Sequence, residues 1–144
     1  MFPPKIILVP TDFSDHARAA VHLASDIAHQ SKAQILLLHV DPPPLVHGEA
    51  VDRRTPDYQA NLRALIEGVR FPDHSLNVER FLMEGVPAEE IVAFAKERGC
   101  DLIVMGTHGR TGLLRAVIGS VAEHVIRLAP CPVLTVKFPQ AGGP

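Results

Sequence analysis

The chain has 144 residues, of which 47% are hydrophobic and 21% are charged, and this composition is typical of one globular domain with a substantial buried core. Its 14 basic and 16 acidic side chains give a formal net charge of -2, so there is no overall positive field to attract a nucleic acid. No apolar run approaches the ~20 residues that span a bilayer and no signal-peptide pattern precedes the first strand, so we expect a cytoplasmic protein with no membrane partner.

The first third of the chain reads as strand, helix and strand. Residues 6–9 and 35–38 are nearly continuous apolar runs, which predict strands buried on both faces, as in a parallel sheet. Between them, Ser14 is typical of a helix N-cap, and an apolar stripe at helical spacing follows it. The stripe consists of Ala17, Ala20, Val21, Ala24, Ile27 and Ala28.

The middle of the chain begins with an irregular segment. Residues 41–54 include three consecutive prolines and are too polar for the core, so we predict a flexible loop over 41–55. Thr55 and Pro56 then open a second helical pattern, residues 76–81 predict a more mixed strand near one sheet edge, and Pro87 opens a third helix.

The last third contains an apolar run at 102–105, a glycine-rich segment, a helix whose apolar face is led by Val121, and a final apolar run, Val133–Val136. Strand and helix therefore alternate throughout. Residues 1–144 are therefore predicted to form a single α/β domain that ends in a short tail at 138–144. Because crossovers between parallel strands are right-handed, we expect an open five-stranded parallel sheet with helices on both faces. Ligands of such sheets bind at the carboxyl ends of the strands.

The glycine-rich segment at 106–120 is typical of an anion site. Gly106, Gly109 and Gly119 allow backbone N–H groups to approach a phosphate, and the last helix begins near Ser120, where free amides and the helix dipole favour negative charge. An alternative needs no ligand: the glycines make turns, and Ser120 with Glu123 forms a capping box.

Asp12 follows the first strand at the same predicted edge of the sheet. A carboxylate at a strand end beside a phosphate site can accept hydrogen bonds from ribose hydroxyls. The alternative is that Asp12 caps or supports the helix that begins near Ser14.

The same residues resemble a known family. The spacing Gly106-x2-Gly109-x9-Gly119-Ser120, the string GSVAEHV at 119–125 and the ending APCPVL at 129–134 are similar to those of universal stress proteins, specifically the ATP-binding branch, and the likeness extends from residue 6 to residue 136. It implies a flavodoxin-like, Rossmann-like sheet of order 3-2-1-4-5 with ATP across the ends of strands one and four. Mg²⁺ can accompany ATP, but the resemblance assigns no residue to it. The residues that the resemblance places around ATP are Pro10, Thr11, Asp12, Val40, Gly106, His108, Gly109, Arg110, Gly119, Ser120 and Val121.

The histidines and cysteines do not predict a metal site. His22 and His29 are two helical turns apart, about 10 Å, and His16 faces elsewhere, so solvated helix faces are the better interpretation of these three. His39, at a strand end, is interpreted as a buried, hydrogen-bonded residue near the pocket. Cys100 and Cys131 lack metal-type spacing, and we expect them to remain thiols that serve in packing.

The sequence favours binding over catalysis. Ser120, His108 and Asp12 supply the residue types of a nucleophile, a base and an orienting group, but neither a G-x-S-x-G elbow nor a Walker lysine is present. We therefore assign no catalytic residue and predict a nucleotide-dependent regulatory protein of the stress response. A slow ATPase or phosphotransferase and a nucleotide-free interaction module are the alternatives.

The final strand bears on assembly. If Val133–Val136 is the last strand of the sheet, its apolar edge has unpaired backbone groups and is prone to aggregation unless another chain pairs with it. A twofold dimer through that edge would pair these groups. The family resemblance points the same way. The alternative is a monomer in which Lys137 and Pro139 blunt the edge.

Overall fold

A computed structural model describes residues 2–43, 55–108 and 118–137. Its elements, in chain order, are β1 (Ile6–Pro10), α1 (Asp15–Ser31), β2 (Gln34–Asp41), α2 (Pro56–Glu67), β3 (Val78–Glu84), α3 (Pro87–Arg98), β4 (Leu102–Gly106), α4 (Ser120–Leu128) and β5 (Val133–Val136). The strands form one sheet of order β3-β2-β1-β4-β5, and all neighbouring strands are parallel. The predicted fold class and strand order are confirmed.

The core lies in two layers because alternate strand residues point to opposite faces of the sheet. On one face, Val9 and Val104 pack with the alanines of α1 and with Ile66 of α2. On the other face, Leu8 and Met105 pack with residues of α3 and α4. The near-continuous apolar runs are thus explained, since both faces of the central strands are covered. No helix within the described ranges is long and apolar enough to cross a bilayer.

The predicted helix starts are also observed. The Ser14 hydroxyl accepts a hydrogen bond from the Ala17 amide at 3.2 Å, and that of Thr55 accepts one from the Tyr58 amide at 3.3 Å. These caps satisfy amides that have no partner within the helix. Pro87 is the first residue of α3, where its missing N–H costs nothing.

The segment after the second strand differs from the prediction at its two ends. Asp41 is the last residue of β2 and is buried, and Thr55 is the N-cap of α2, so neither belongs to a flexible loop. The polar character of Asp41 suggested a loop, but a tertiary hydrogen bond keeps this residue in the sheet. Residues 44–54, the rest of the predicted loop, and the tail at 138–144 lie outside the described residues.

Candidate functional site

A cavity of about 470 Å³ opens at the carboxyl ends of β1, β2 and β4. It lies where the chain leaves β1 for one face of the sheet and β4 for the other, which is the switch point of a doubly wound fold. Nine of the predicted site residues line it: Pro10, Thr11, Asp12, Val40, Gly106, His108, Gly119, Ser120 and Val121. The other two, Gly109 and Arg110, lie outside the described residues.

The turn after β1 places Asp12 in this cavity. The Thr11 amide donates to the carbonyl of Leu38 at 2.8 Å, which extends the parallel ladder by one residue. The Thr11 hydroxyl then accepts a hydrogen bond from the Phe13 amide at 3.1 Å, and the Asp12 carboxylate accepts one from the Ser14 amide at 3.0 Å. Asp12 therefore supports the start of α1, as the alternative interpretation held, and lines the cavity as well.

His39 fixes the same turn from the neighbouring strand. Its ring is buried, and its Nδ1 lies 2.7 Å from the carbonyl oxygen of Thr11. Because a carbonyl can only accept, this Nδ1 carries the proton. The prediction of a buried, hydrogen-bonded histidine near the pocket is confirmed, and the Phe13 ring lies 4.5 Å from the imidazole between ring centroids.

The far wall of the cavity contains a polar pair that sequence reasoning missed. Asp41 is only 8% exposed, and the Tyr58 hydroxyl lies 2.9 Å from each of its carboxylate oxygens. This contact joins the first turn of α2 to the end of β2. The signal was present in the sequence as an acidic residue directly after a buried strand, but nothing local specified its partner 17 positions later.

The end of β4 is pressed against α1. A side-chain Cβ at Gly106 would lie 2.8 Å from the backbone carbonyl carbon of His16 and 2.9 Å from its oxygen, closer than real atoms approach. Gly106 is therefore required by helix packing as well as lining the cavity. His16 is correspondingly half-buried, with its ring centroid 5.1 Å from that of the buried His108. The interpretation of His16 as part of a solvated helix face was wrong.

The start of α4 forms the remaining wall. Gly119 is the N-cap, and no side chain caps this helix; Ser120 is its first residue. The capping-box alternative fails, since Ser120 is inside the helix and the Glu123 carboxylate instead contacts Arg127 at 2.8 Å. Gly119 is buried, so an uncapped helix N-terminus, with its positive dipole end, lies against the cavity.

His29 and the two cysteines lie outside this cavity. Across the described ranges, no three His, Cys, Asp or Glu side chains form a group that could hold a metal ion. His29 pairs with Asp73 at 2.7 Å on the surface. Burial raises the pKa of the Cys100 thiol to about 11 and also raises the pKa of Cys131, which suits a packing role for both.

Known proteins share both the sequence and the fold. The profile of the Universal stress protein family matches residues 4–137. Universal stress protein MJ0531 of Methanocaldococcus jannaschii is 37% identical, over 94% of this chain and 84% of its own length. The solved structure of MJ0577, from the same organism, is 31% identical with a TM-score of 0.77 and covers 95% of this chain and 98% of that one.

A further structure, the universal stress protein from Archaeoglobus fulgidus in complex with dAMP, has a TM-score of 0.70 and covers 95% of this chain and 100% of its own. At 23% identity it shows a likeness of fold alone. The matched profile and the two Methanocaldococcus proteins cover nearly the whole chain. The chain therefore belongs to the universal stress protein family.

Proposed function

We propose that this protein binds ATP in the cavity at the carboxyl ends of β1, β2 and β4, and that nucleotide occupancy regulates a response to stress. The observation that carries the proposal is the convergence of nine predicted contact residues, from four separate segments of the chain, on one cavity. Its volume of about 470 Å³ is within the usual range for small-molecule sites.

Complementary chemistry supports an adenine nucleotide. The walls near Val40 and Met105 are apolar and suit a flat base, whereas Asp12 offers a carboxylate to ribose hydroxyls. The uncapped start of α4, with Gly119 at its N-cap, suits a phosphate. A universal stress protein of the same fold is in complex with dAMP, which supports this class of ligand.

The proposal is tested by identifying bound nucleotide. The purified protein is denatured, the released small molecules are separated, and the apo protein is titrated with ATP by calorimetry. We expect ATP to be recovered and rebound, and Gly119→Val to abolish rebinding because the added side chain occupies the phosphate position. If Gly119→Val binds ATP as tightly as the wild type, the phosphate does not bind at the start of α4.

We propose binding rather than turnover because the chain lacks the Walker motif, whose lysine contacts the phosphates in enzymes that transfer phosphoryl groups efficiently. We expect slow hydrolysis at most, with no loss of turnover at saturating ATP in Ser120→Ala or His108→Ala. A fall in turnover with either substitution, at unchanged ATP affinity, would assign enzymatic chemistry to that side chain.

We further propose a homodimer through β5. This strand ends the sheet, and its Leu134 side chain, which is 39% exposed, leaves apolar surface at that edge. Pairing two β5 edges satisfies their backbone groups and covers this apolar surface. Light scattering should show a dimer at micromolar concentration that Leu134→Lys converts to a monomer. Val86→Lys, at an exposed apolar residue beyond the opposite edge strand, is the control and should remain dimeric.

A further inference from the structure

A second, smaller cavity lies between α1 and the end of α2. Its volume is about 270 Å³, compared with about 470 Å³ for the cavity at the carboxyl ends of the strands. The two cavities share three lining residues, which form a common wall: Thr11, Phe13 and Leu65. The proposed nucleotide site therefore has a smaller neighbour on the face of the sheet that carries α1 and α2.

Apolar side chains make up much of the lining of the second cavity. Val21 of α1 is buried, Val69 after α2 is half-buried, and Leu65 of α2 is 48% exposed. Phe13 also lines the cavity, and its backbone φ is 67°, a left-handed conformation that is rare for a bulky residue. Such a conformation persists only where its surroundings impose it, which is common beside binding sites. Concave apolar surface that is open to water favours a ligand with an apolar body.

The charged residues of this cavity are basic. Arg18 and His22 lie one turn apart on α1, and Arg70 follows α2; all three are exposed. Within the described ranges, no acidic residue lines the cavity. Arg18 contacts Asp15 at 3.1 Å, but both side chains are more than half exposed, and a surface pair of this kind holds Arg18 only weakly. The cavity therefore suits an anionic group.

The helix ends beside the cavity do not oppose an anion. α1 begins here at its N-cap, Ser14, which is the positive end of the helix dipole. α2 ends here, and its last carbonyls would repel an anion if they were free. However, the Arg80 guanidinium of β3 donates to the carbonyls of Ile66 at 3.0 Å and Val69 at 2.8 Å. A positive charge thus neutralises the negative end of α2.

We propose that the second cavity binds a free carboxylic acid with a short aliphatic body. Arg18 and Arg70 lie on different walls of the cavity, and planar guanidinium groups match the geometry of a carboxylate. The aliphatic body covers the exposed Leu65, which removes apolar surface from water. This site is separate from the nucleotide cavity, so the proposal does not depend on ATP binding.

The test titrates the ¹⁵N-labelled protein with octanoate, with and without excess ATP. Amide chemical shifts locate the ligand, and their concentration dependence gives its affinity. We expect shifts at Val21, Gly68 and Val69, which line the second cavity, and none at Val40 or Gly119, which line only the first. Octylamine has a similar aliphatic body with the opposite charge and should bind at least about tenfold more weakly.

Two substitutions test the guanidinium contacts. Arg18→Gln and Arg70→Gln should each weaken octanoate binding about fivefold, because a charge-assisted hydrogen bond is lost. Arg63→Gln is the matched control, since Arg63 is exposed on α2 and lines neither cavity, and its affinity should equal that of the wild type.

An absence of octanoate-induced shifts in the second cavity overturns the proposal. Equal affinities for octanoate and octylamine, or an unchanged affinity in the variant that combines Arg18→Gln and Arg70→Gln, overturn the assignment of a carboxylate. If ATP does not bind but octanoate still shifts Val21, Gly68 and Val69, the nucleotide proposal fails and this one stands.

Discussion

The carboxyl ends and the amino ends of the strands differ in how many polar side chains are buried there. Five of the six buried polar or charged residues in the described ranges lie at or just beyond the carboxyl ends of strands: Thr11, His39, Asp41, Thr107 and His108. At the amino edge, the buried Cys100 behaves as a small apolar residue, and the polar contact of Asp101 is only partly buried. Buried polar groups are costly, so their concentration at one edge marks where the fold accepts a stability cost for a site.

The buried polar side chains at the carboxyl ends also differ among themselves in whether they have a hydrogen-bond partner within the protein. His39 and Asp41 have partners within the protein and stiffen the cavity wall at the end of β2. The Thr107 hydroxyl, after β4 and next to the start of α4, has no partner. The wall at the end of β2 is thus held by internal side-chain contacts, and the wall at the end of β4 has one buried hydroxyl that is not.

The largest expected effect concerns packing at the carboxyl edge. Gly106→Ala would place a Cβ 2.8 Å from the backbone of His16, so β4 and α1 must separate. We expect the free energy of unfolding, measured in urea, to fall by about 3 kcal/mol. The control is Gly99→Ala at the end of α3, where φ is +62° and no atom lies within 4 Å of the new Cβ; its cost is backbone strain alone, about 1 kcal/mol. Equal losses in the two variants would mean that α1 does not press on Gly106.

The glycine segment illustrates what the sequence could and could not provide. The strand runs and the caps at Ser14 and Thr55 followed from local pattern, because each depends on neighbouring residues. The strand order was implied by the family resemblance. The dependence of Gly106 on His16 is a contact between distant segments, and no spacing in the sequence announces it. The sequence analysis explained Gly106 by close approach to a phosphate or by a turn, and neither explanation includes its packing against α1.

The contact between Asp41 and Tyr58 is a second feature that the local sequence could not predict. A polar residue before three prolines suggested a loop, and only the tertiary contact with Tyr58 explains why Asp41 is buried in β2. Thr107 was passed over because a threonine between motif glycines has no distinctive local signature. That its hydroxyl is buried without a partner is visible only in the structure.

The next effect concerns the cavity wall at the end of β2. Tyr58→Phe removes the hydroxyl that contacts both oxygens of the buried Asp41 carboxylate and should lower the free energy of unfolding by about 2 kcal/mol. In the Asp41→Ala background the same substitution should cost much less, so the double-mutant cycle gives a coupling of about 1 kcal/mol or more. Additive losses would show that the contact does not stabilise the wall.

A smaller effect separates the two roles of Asp12. Asp12→Ala should weaken ATP binding by about 1 to 2 kcal/mol, because ribose hydroxyls lose an acceptor. The control is Ser14→Ala, which removes the side-chain cap of α1 and should cost about 1 kcal/mol of stability while leaving ATP affinity unchanged. If calorimetry gives Asp12→Ala the affinity of the wild type, Asp12 only supports the turn into α1.

The smallest effect lies at the amino edge and should not involve the ligand. The Asp101 carboxylate accepts hydrogen bonds from the Lys5 amide at 2.8 Å and from the Ile6 amide at 2.9 Å, which joins the start of β1 to β4. The bond from Lys5 is the main cause that lowers the pKa of Asp101 below its ordinary value of 3.8. Since the pKa is lower in the folded state, the ionised carboxylate stabilises the fold above that ordinary value, and this stabilisation is lost as the pH falls through the lowered pKa.

Asp101→Asn should therefore reduce the free energy of unfolding at pH 7 by only about 0.5 kcal/mol, because Asp101 is partly exposed and solvent screens its charge. Thermal melts at decreasing pH should show the difference from the wild type shrinking below the ordinary pKa. Asp26→Asn, on the exposed side of α1, is the matched charge change and should leave the free energy of unfolding at pH 7 nearly unchanged. ATP affinity should be unchanged in both variants, since Asp101 and Asp26 do not line the cavity; a weaker affinity in Asp101→Asn would mean that the two ends of β4 are coupled.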